Sequence, residues 1–205
     1  MNNNFEFLDE LREHVRTKVS EKRYAHILRV EEEVAQIGAI LLPEKIKELR
    51  IAAIFHDVTK DIYLKEQLQL CKKFDIILDK CAEEATLHAL TGAYYAREVY
   101  PSYVTDEIFD AISAHTTGSS CMTTFDKILF VADYIEAGRK YERCRAVREK
   151  FWSFDWSAAD DERIRHLDNI CIEILDNTLT YLIENKKVID KETLAARNAL
   201  VGKML

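Results

Sequence analysis

Residues that break helices are scarce in this chain: glycine occurs 5 times and proline twice in 205 residues. Long helices are therefore expected. No apolar run reaches the roughly 18 residues of a membrane span, so no membrane partner is expected. There is no C-x-x-C pair. The five cysteines, Cys71, Cys81, Cys121, Cys144 and Cys171, are scattered and odd in number, which reads as free thiols in a reducing cytoplasm. A catalytic cysteine has little support. Positive charge is also short, with 29 Lys and Arg against 36 Asp and Glu, a net charge of −7. General nucleic-acid binding needs a basic face, so nucleic acid is not expected as a partner. Any anionic substrate must be held by local cations or by a metal.

The remainder is ordinary for a folded chain: 48% of residues are hydrophobic and 32% charged. The opening Met1-Asn2-Asn3-Asn4 leads straight into a charged amphipathic stretch, so no signal peptide is expected, and the protein is placed in the cytoplasm. No strand-like alternation, internal repeat or flexible linker is visible. The expectation is an all-α fold, with residues 1–205 as one domain.

Apolar spacing predicts a helix over 5–19, from Phe5, Leu8, Leu11, Val15 and Val19. A second runs from Glu21 to about Gly38. A third has Pro43 in its first turn and ends near His56-Asp57. Shorter helices are expected over 61–82, then helices over 83–99, from Thr105 to His115, from Thr123 or Thr124 through Asp133, over 157–185 and over 191–203. Residues 116–120 read as a loop.

Chemistry concentrates in four residues. His26, the pair His56-Asp57, and Asp133 offer two imidazoles and two carboxylates, a complete ligand set for one divalent metal of N/O preference. His56-Asp57 closes the apolar run 51–55, and Asp133 interrupts the apolar run 128–132. An ionised carboxylate among such neighbours is costly unless something positive meets it. His88 opens His88-Ala89-Leu90-Thr91-Gly92-Ala93, where small residues leave room beside the imidazole, either for a substrate or for close helix packing. His115 precedes a hydroxyl- and glycine-containing turn that suits a phosphate, or simply favours a helix C-terminus. Lys60 and Arg139 follow the ligands closely and are candidate phosphate clamps. His14 and His166, among charged residues on faces read as exposed, receive no role.

These residues resemble the HD superfamily of metal-dependent phosphohydrolases. The segments 52–60, 88–93, 111–118 and 127–136 are similar to the YqeK subfamily, the symmetrical bis(5′-nucleosyl)-tetraphosphatases. The similarity covers about residues 20–185. Phe55 and Val58-Thr59 depart slightly from the subfamily pattern, and neither departure removes a ligand.

The resemblance implies a single HD-domain helical bundle, its core at about 20–185 flanked by N- and C-terminal helical extensions. His26, His56, Asp57 and Asp133 would hold one metal, with iron expected first and manganese, cobalt or zinc as alternatives. His88 and His115 would face substrate phosphates. A second metal at His88 and His115 is the less favoured arrangement. Asp57, His88 and His115 are the candidate catalytic groups. The substrate would contact His26, Asp57, Val58, Thr59, Lys60, His88, His115, Asp133 and Arg139. The segment Asn177-Thr178-Leu179-Thr180-Tyr181 would lie by the nucleoside; on residue chemistry alone it reads as exposed polar helix. The implied partners are a dinucleoside polyphosphate such as diadenosine tetraphosphate and its product ADP, with a second copy of the chain in a homodimer as a further candidate. Two other readings stay open: an HD phosphohydrolase of nucleoside mono- or triphosphates, and a nucleotide-binding or interaction module without turnover.

Overall fold

The described residues of the computed structural model, 3–78 and 84–203, form ten α-helices and no strand. In order they are α1 (Asn3–Arg16), α2 (Glu21–Leu41), α3 (Ile46–Phe55), α4 (Leu64–Lys73), α5 (Glu84–Val99), α6 (Asp106–Ala114), α7 (Thr124–Ile135), α8 (Glu142–Trp152), α9 (Asp160–Glu184) and α10 (Lys191–Gly202). The all-α expectation holds.

Short polar side chains start several of these helices. Ser20 accepts a hydrogen bond from the Arg23 backbone and opens α2; Thr105 does the same for α6 and Asp190 for α10. Thr123 and Asp126 form a reciprocal capping box at the start of α7. Each such cap is worth about 0.5–2 kcal/mol. These caps fix where α2, α6 and α7 begin, and so where His26, His115 and Asp133 fall.

Two helices are buried nearly all round, and they are the two whose sequences are apolar runs. On α3, Leu49 and residues 51–55 are buried; on α7, residues 125–132 are buried without a break. Helix α3 packs against α1, α2 and α6, while α7 packs against α2, α6 and α9. Ile54, Phe55, Ile128 and Leu129 are wholly removed from solvent. Each contributes about 1.5–3 kcal/mol through burial. Gly38 lets α2 and α3 meet closely: a Cβ there would lie 2.7 Å from Leu49 Cδ1. One hydrophobic cluster runs from Leu8 on α1 to Leu200 on α10.

Several boundaries differ from the periodicity. α1 stops at Arg16, and α2 runs through Gly38 to Leu41. Pro43 sits in a separate 3-10 turn, Pro43–Lys45, before α3 begins. Helix α8 has no counterpart in the sequence reading. Its buried positions are only Cys144, Val147 and Phe151, too sparse a stripe among charges to stand out. The expected helices over 61–82 reduce to α4, and residues 79–83 lie outside the described residues. His14 and His166 are half-buried, contrary to their reading as exposed. His14 Nε2 meets the Tyr95 hydroxyl at 2.9 Å, and His166 stacks on Phe154 with centroids 4.2 Å apart.

Cys71, Cys121, Cys144 and Cys171 are unpaired, while Cys81 lies outside the described residues. No described helix is long and apolar enough to cross a membrane.

Candidate metal centre

Three helices converge on His26, in the second turn of α2. Its Nε2 lies 2.9 Å from Asp133 Oδ1 on α7, 3.4 Å from His56 Nε2 and 3.5 Å from Asp57 Oδ2. His56 and Asp57 follow α3 directly. His56 Nε2 is 3.5 Å from Asp57 Oδ2 and 3.8 Å from Asp133 Oδ1. Adjacent residues inside a helix diverge by about 100°. Here His56 is the C-cap of α3 and Asp57 lies beyond it, so the pair can turn to one point.

The ring nitrogens are oriented for that point. His56 Nδ1–H donates to the Ala53 carbonyl at 2.7 Å, and His26 Nδ1–H donates to Glu136 Oε1 at 3.2 Å. Both Nε2 lone pairs then face inward. Donor separations of 2.9–3.8 Å match the edges of a coordination shell with bonds of about 2.0–2.2 Å. Two neutral imidazoles and two carboxylates suit a divalent cation, so the residues fit a metal. His26, His56 and Asp57 are all buried.

A second cluster uses the other oxygen of Asp57. His88 Nε2, on α5, is 3.1 Å from Asp57 Oδ1, and His115 Nε2, at the end of α6, is 3.6 Å from it. The two Nε2 atoms are 3.1 Å apart. His115 Nδ1–H donates to the Ile112 carbonyl. The Thr116 hydroxyl lies 3.2 Å from His88 Nε2 and 3.1 Å from His115 Nε2. Asp57, His88 and His115 therefore form a second group with the spacing of metal ligands, although one metal was expected. No further carboxylate joins it among the described residues. Instead the Lys60 ammonium lies 3.1 Å from His88 Nδ1 and 3.5 Å from Nε2, against the ring.

Burial alone would raise both central carboxylates. For Asp57 the effect is overturned by His56, His115 and His88, and for Asp133 by Arg139, His26 and His56, so both carboxyls sit well below their usual range. Burial would lower His26, but Asp133 and Glu136 raise it. Burial lowers His56, and burial with help from His115 and Lys60 brings His88 down to about 4. Lys60 is itself lowered by burial.

The remaining expected contacts divide. Arg139 reaches Asp133, with Nε donating to its carbonyl at 2.8 Å and Nη2 to Oδ1 at 2.5 Å. Val58 is packed into the core. Thr59 is buried, its hydroxyl between the His88 carbonyl and Thr91 and its own carbonyl accepting from Gln67 Nε2 at 2.5 Å, so neither oxygen is free for a ligand. Asn177, Thr178 and Tyr181 line a cavity of about 520 Å³ with Tyr134, Tyr141, Arg143, Cys144 and Glu184. Leu179 and Thr180 are not part of that lining, and Thr180 bonds back to the Asp176 carbonyl.

Three groups went unassigned in the sequence. Glu136 is 2% exposed and also accepts from Arg29 Nε and the Gly138 backbone. Arg23 Nη1 donates to Asp57 Oδ2. Tyr134, the residue after Asp133, lines the cavity with Asn177 and Tyr181. Spacing offered a signal for Glu136 and Arg23, since each lies three residues from a ligand.

A family model described as HD domain matches residues 23–138, and the chain belongs to that family. Within it, the chain is 32% identical over 191 residues to the symmetrical bis(5′-nucleosyl)-tetraphosphatase of Halalkalibacterium halodurans, covering 91% of this chain and 93% of that protein. It is 31% identical to the protein of the same name from Bacillus subtilis, covering 92% and 94%. The crystal structure of a predicted HD superfamily hydrolase involved in NAD metabolism from Clostridium acetobutylicum superposes with a TM-score of 0.81 at 27% identity, over 95% of this chain and 97% of that one.

Proposed function

We propose that the protein hydrolyses dinucleoside tetraphosphates symmetrically, releasing two nucleoside diphosphates. The observation that carries this is the convergence of His26, His56, Asp57 and Asp133 beside two further buried histidines and a cavity at Tyr134. Similarity over nine-tenths of the chain to enzymes named for that reaction supports it.

His26, His56, Asp57 and Asp133 hold one metal, with iron as the first expectation. When bound, that ion supplies Lewis acidity toward a phosphoryl oxygen and an activated water. The side chains do the positioning, which is most of the work in phosphoryl transfer. One nucleoside sits in the cavity by Asn177 and Tyr181. Arg139, paired with Asp133 and within electrostatic reach of Cys144 in that cavity, meets the first phosphates. His88 and His115, with Thr116, face the oxygens of the bond to be cut, and Lys60 supplies positive charge beside them. Asp57 touches both imidazole pairs, so it couples the water's position to theirs.

Diadenosine tetraphosphate given to the metal-loaded enzyme should yield ADP alone, and ADP should compete with it. ATP and AMP in equal amounts would refute the symmetrical placement. Faster turnover of ATP or AMP than of the tetraphosphate would favour a mononucleotide phosphohydrolase.

A further inference from the structure

With one nucleoside in the cavity and its phosphates at the metal centre, the other half of a symmetrical substrate needs a site of its own. A tetraphosphate cut in its middle extends past the metal centre by two more phosphates, each an anion. An acidic chain needs a cation there. Arg139 is already committed to Asp133 and lies within electrostatic reach of Cys144, which lines the cavity.

Arg23 stands on the other carboxylate. It projects from the first turn of α2, one turn before His26, and its Nη1 contacts Asp57 Oδ2. Its Nε lies 3.5 Å from Asp61 Oδ1 and makes no hydrogen bond although it is buried. Asp61 is held in turn by the Ser20 backbone and hydroxyl, which cap α2. None of these residues lines the cavity by Tyr134. The Arg23 side chain is 26% exposed, so this residue beside the metal ligands is open in part to solvent.

Asp57 Oδ2 is also the oxygen that faces His26 and His56. A divalent ion held by those residues would repel the guanidinium and weaken its attraction to Asp57, while Asp61 would still hold it nearby. A phosphate is the natural replacement partner, because a guanidinium fork matches its oxygens.

Resting on the functional reading above, we propose that Arg23, tethered by Asp61, binds the phosphates of the second nucleotide, the half that leaves from the side opposite the cavity. Lys60 lies within electrostatic reach of both Arg23 and Arg139 and bridges the two halves. The enzyme thus reads a symmetrical substrate asymmetrically: one nucleoside in a cavity, the other recognised through its phosphates alone.

The test compares two ligands on the metal-loaded full chain. One is diadenosine tetraphosphate with a methylene in place of its central bridging oxygen; the other is ADP. Equilibrium dissociation constants are measured for wild type, Arg23→Met and Arg23→Lys, with metal content checked in each. Arg23→Met should weaken the tetraphosphate analogue about tenfold, the scale of one charge-assisted contact, and change ADP less than about twofold. Arg23→Lys should fall between. With the cleavable substrate, KM should rise more than kcat falls. Equal weakening of both ligands would place Arg23 on the near half or the metal site, and no weakening of either would remove it from binding; both overturn the proposal. If wild type binds the analogue but cleaves no tetraphosphate, the functional reading fails while the two dissociation constants still decide the role of Arg23.

Discussion

Two pairs of buried imidazoles share the carboxylate of Asp57, and they differ in what stands around them. His26 and His56 have a second carboxylate, Asp133, within 2.9 and 3.8 Å, and a third, Glu136, behind His26. His88 and His115 have a lysine and a threonine hydroxyl. The first surroundings neutralise a dication. Arg23 and Arg139 already lie on Asp57 and Asp133, yet among the described residues the second surroundings add no carboxylate to Asp57 and set the Lys60 ammonium against His88, so a dication fits the first and a phosphate oxygen the second. Ligand type alone does not separate the pairs, because each contains two histidines and the same aspartate.

The largest effects should come from the carboxylate-rich pair. His56→Ala and Asp133→Ala should each abolish metal binding and lower kcat/KM by at least about 10³-fold, with helical circular dichroism retained. Asp133→Asn should be gentler on folding, since it keeps the shape and removes the buried charge. Full metal occupancy in these variants would erase the distinction between the pairs.

Next in size is the lysine-flanked pair. His88→Ala or His115→Ala should cost about 10²-fold in turnover with metal content unchanged, checked by elemental analysis against enzyme concentration. A fall from two metals to one would mean that both pairs are ligands.

Much of this was legible in the sequence, for a physical reason. A charged residue inside an apolar run, such as Asp133 within 128–132, is visible because its burial needs a partner. Helix starts at Thr105 and Thr123 were legible through their hydroxyls. Helix α8 was not, because three buried side chains leave too faint a stripe. The resemblance assigned the four histidines to two roles, but the physical cause of such a partition was hidden. It depends on Nδ1 partners, namely Ala53 O, Ile112 O and Glu136, and on where Lys60 lands, and those are tertiary facts. Glu136 looked like any glutamate near a helix end until α2 was laid against it.

Glu136 offers a sharper probe of the first pair. Glu136→Gln puts an amide where Arg29 and the Gly138 N–H both donate, and should weaken metal affinity about 10–100-fold by loosening His26. Burial would raise the Glu136 carboxyl, yet the hydrogen bonds from His26, Arg29 and Gly138 bring it down to about 2 from the ordinary 4.5 of a glutamate. A depressed carboxyl stabilises the fold above its unfolded value and loses that contribution as pH falls toward its folded one. Urea titrations of the metal-free protein should therefore show stability falling between about pH 4.5 and 2, and Glu136→Gln should flatten part of that slope.

The smallest effect should come from Gly138→Ala. A Cβ there would overlap the Arg29 guanidinium, which can swing away. Stability should drop by less than about 1 kcal/mol, with a loss of metal affinity smaller than that of Glu136→Gln. A larger loss than Glu136→Gln would show that Arg29, and not the carboxylate, holds His26 in place.

Anomalous diffraction at the absorption edge of the metal retained by the purified protein tests the difference between the two pairs most directly. One peak is expected, about 2.0–2.2 Å from His26 Nε2 and His56 Nε2, with Asp57 and Asp133 completing its contacts. A second peak of comparable height among Asp57, His88 and His115, or a peak there alone, would contradict the assignment of one pair to metal and the other to phosphate.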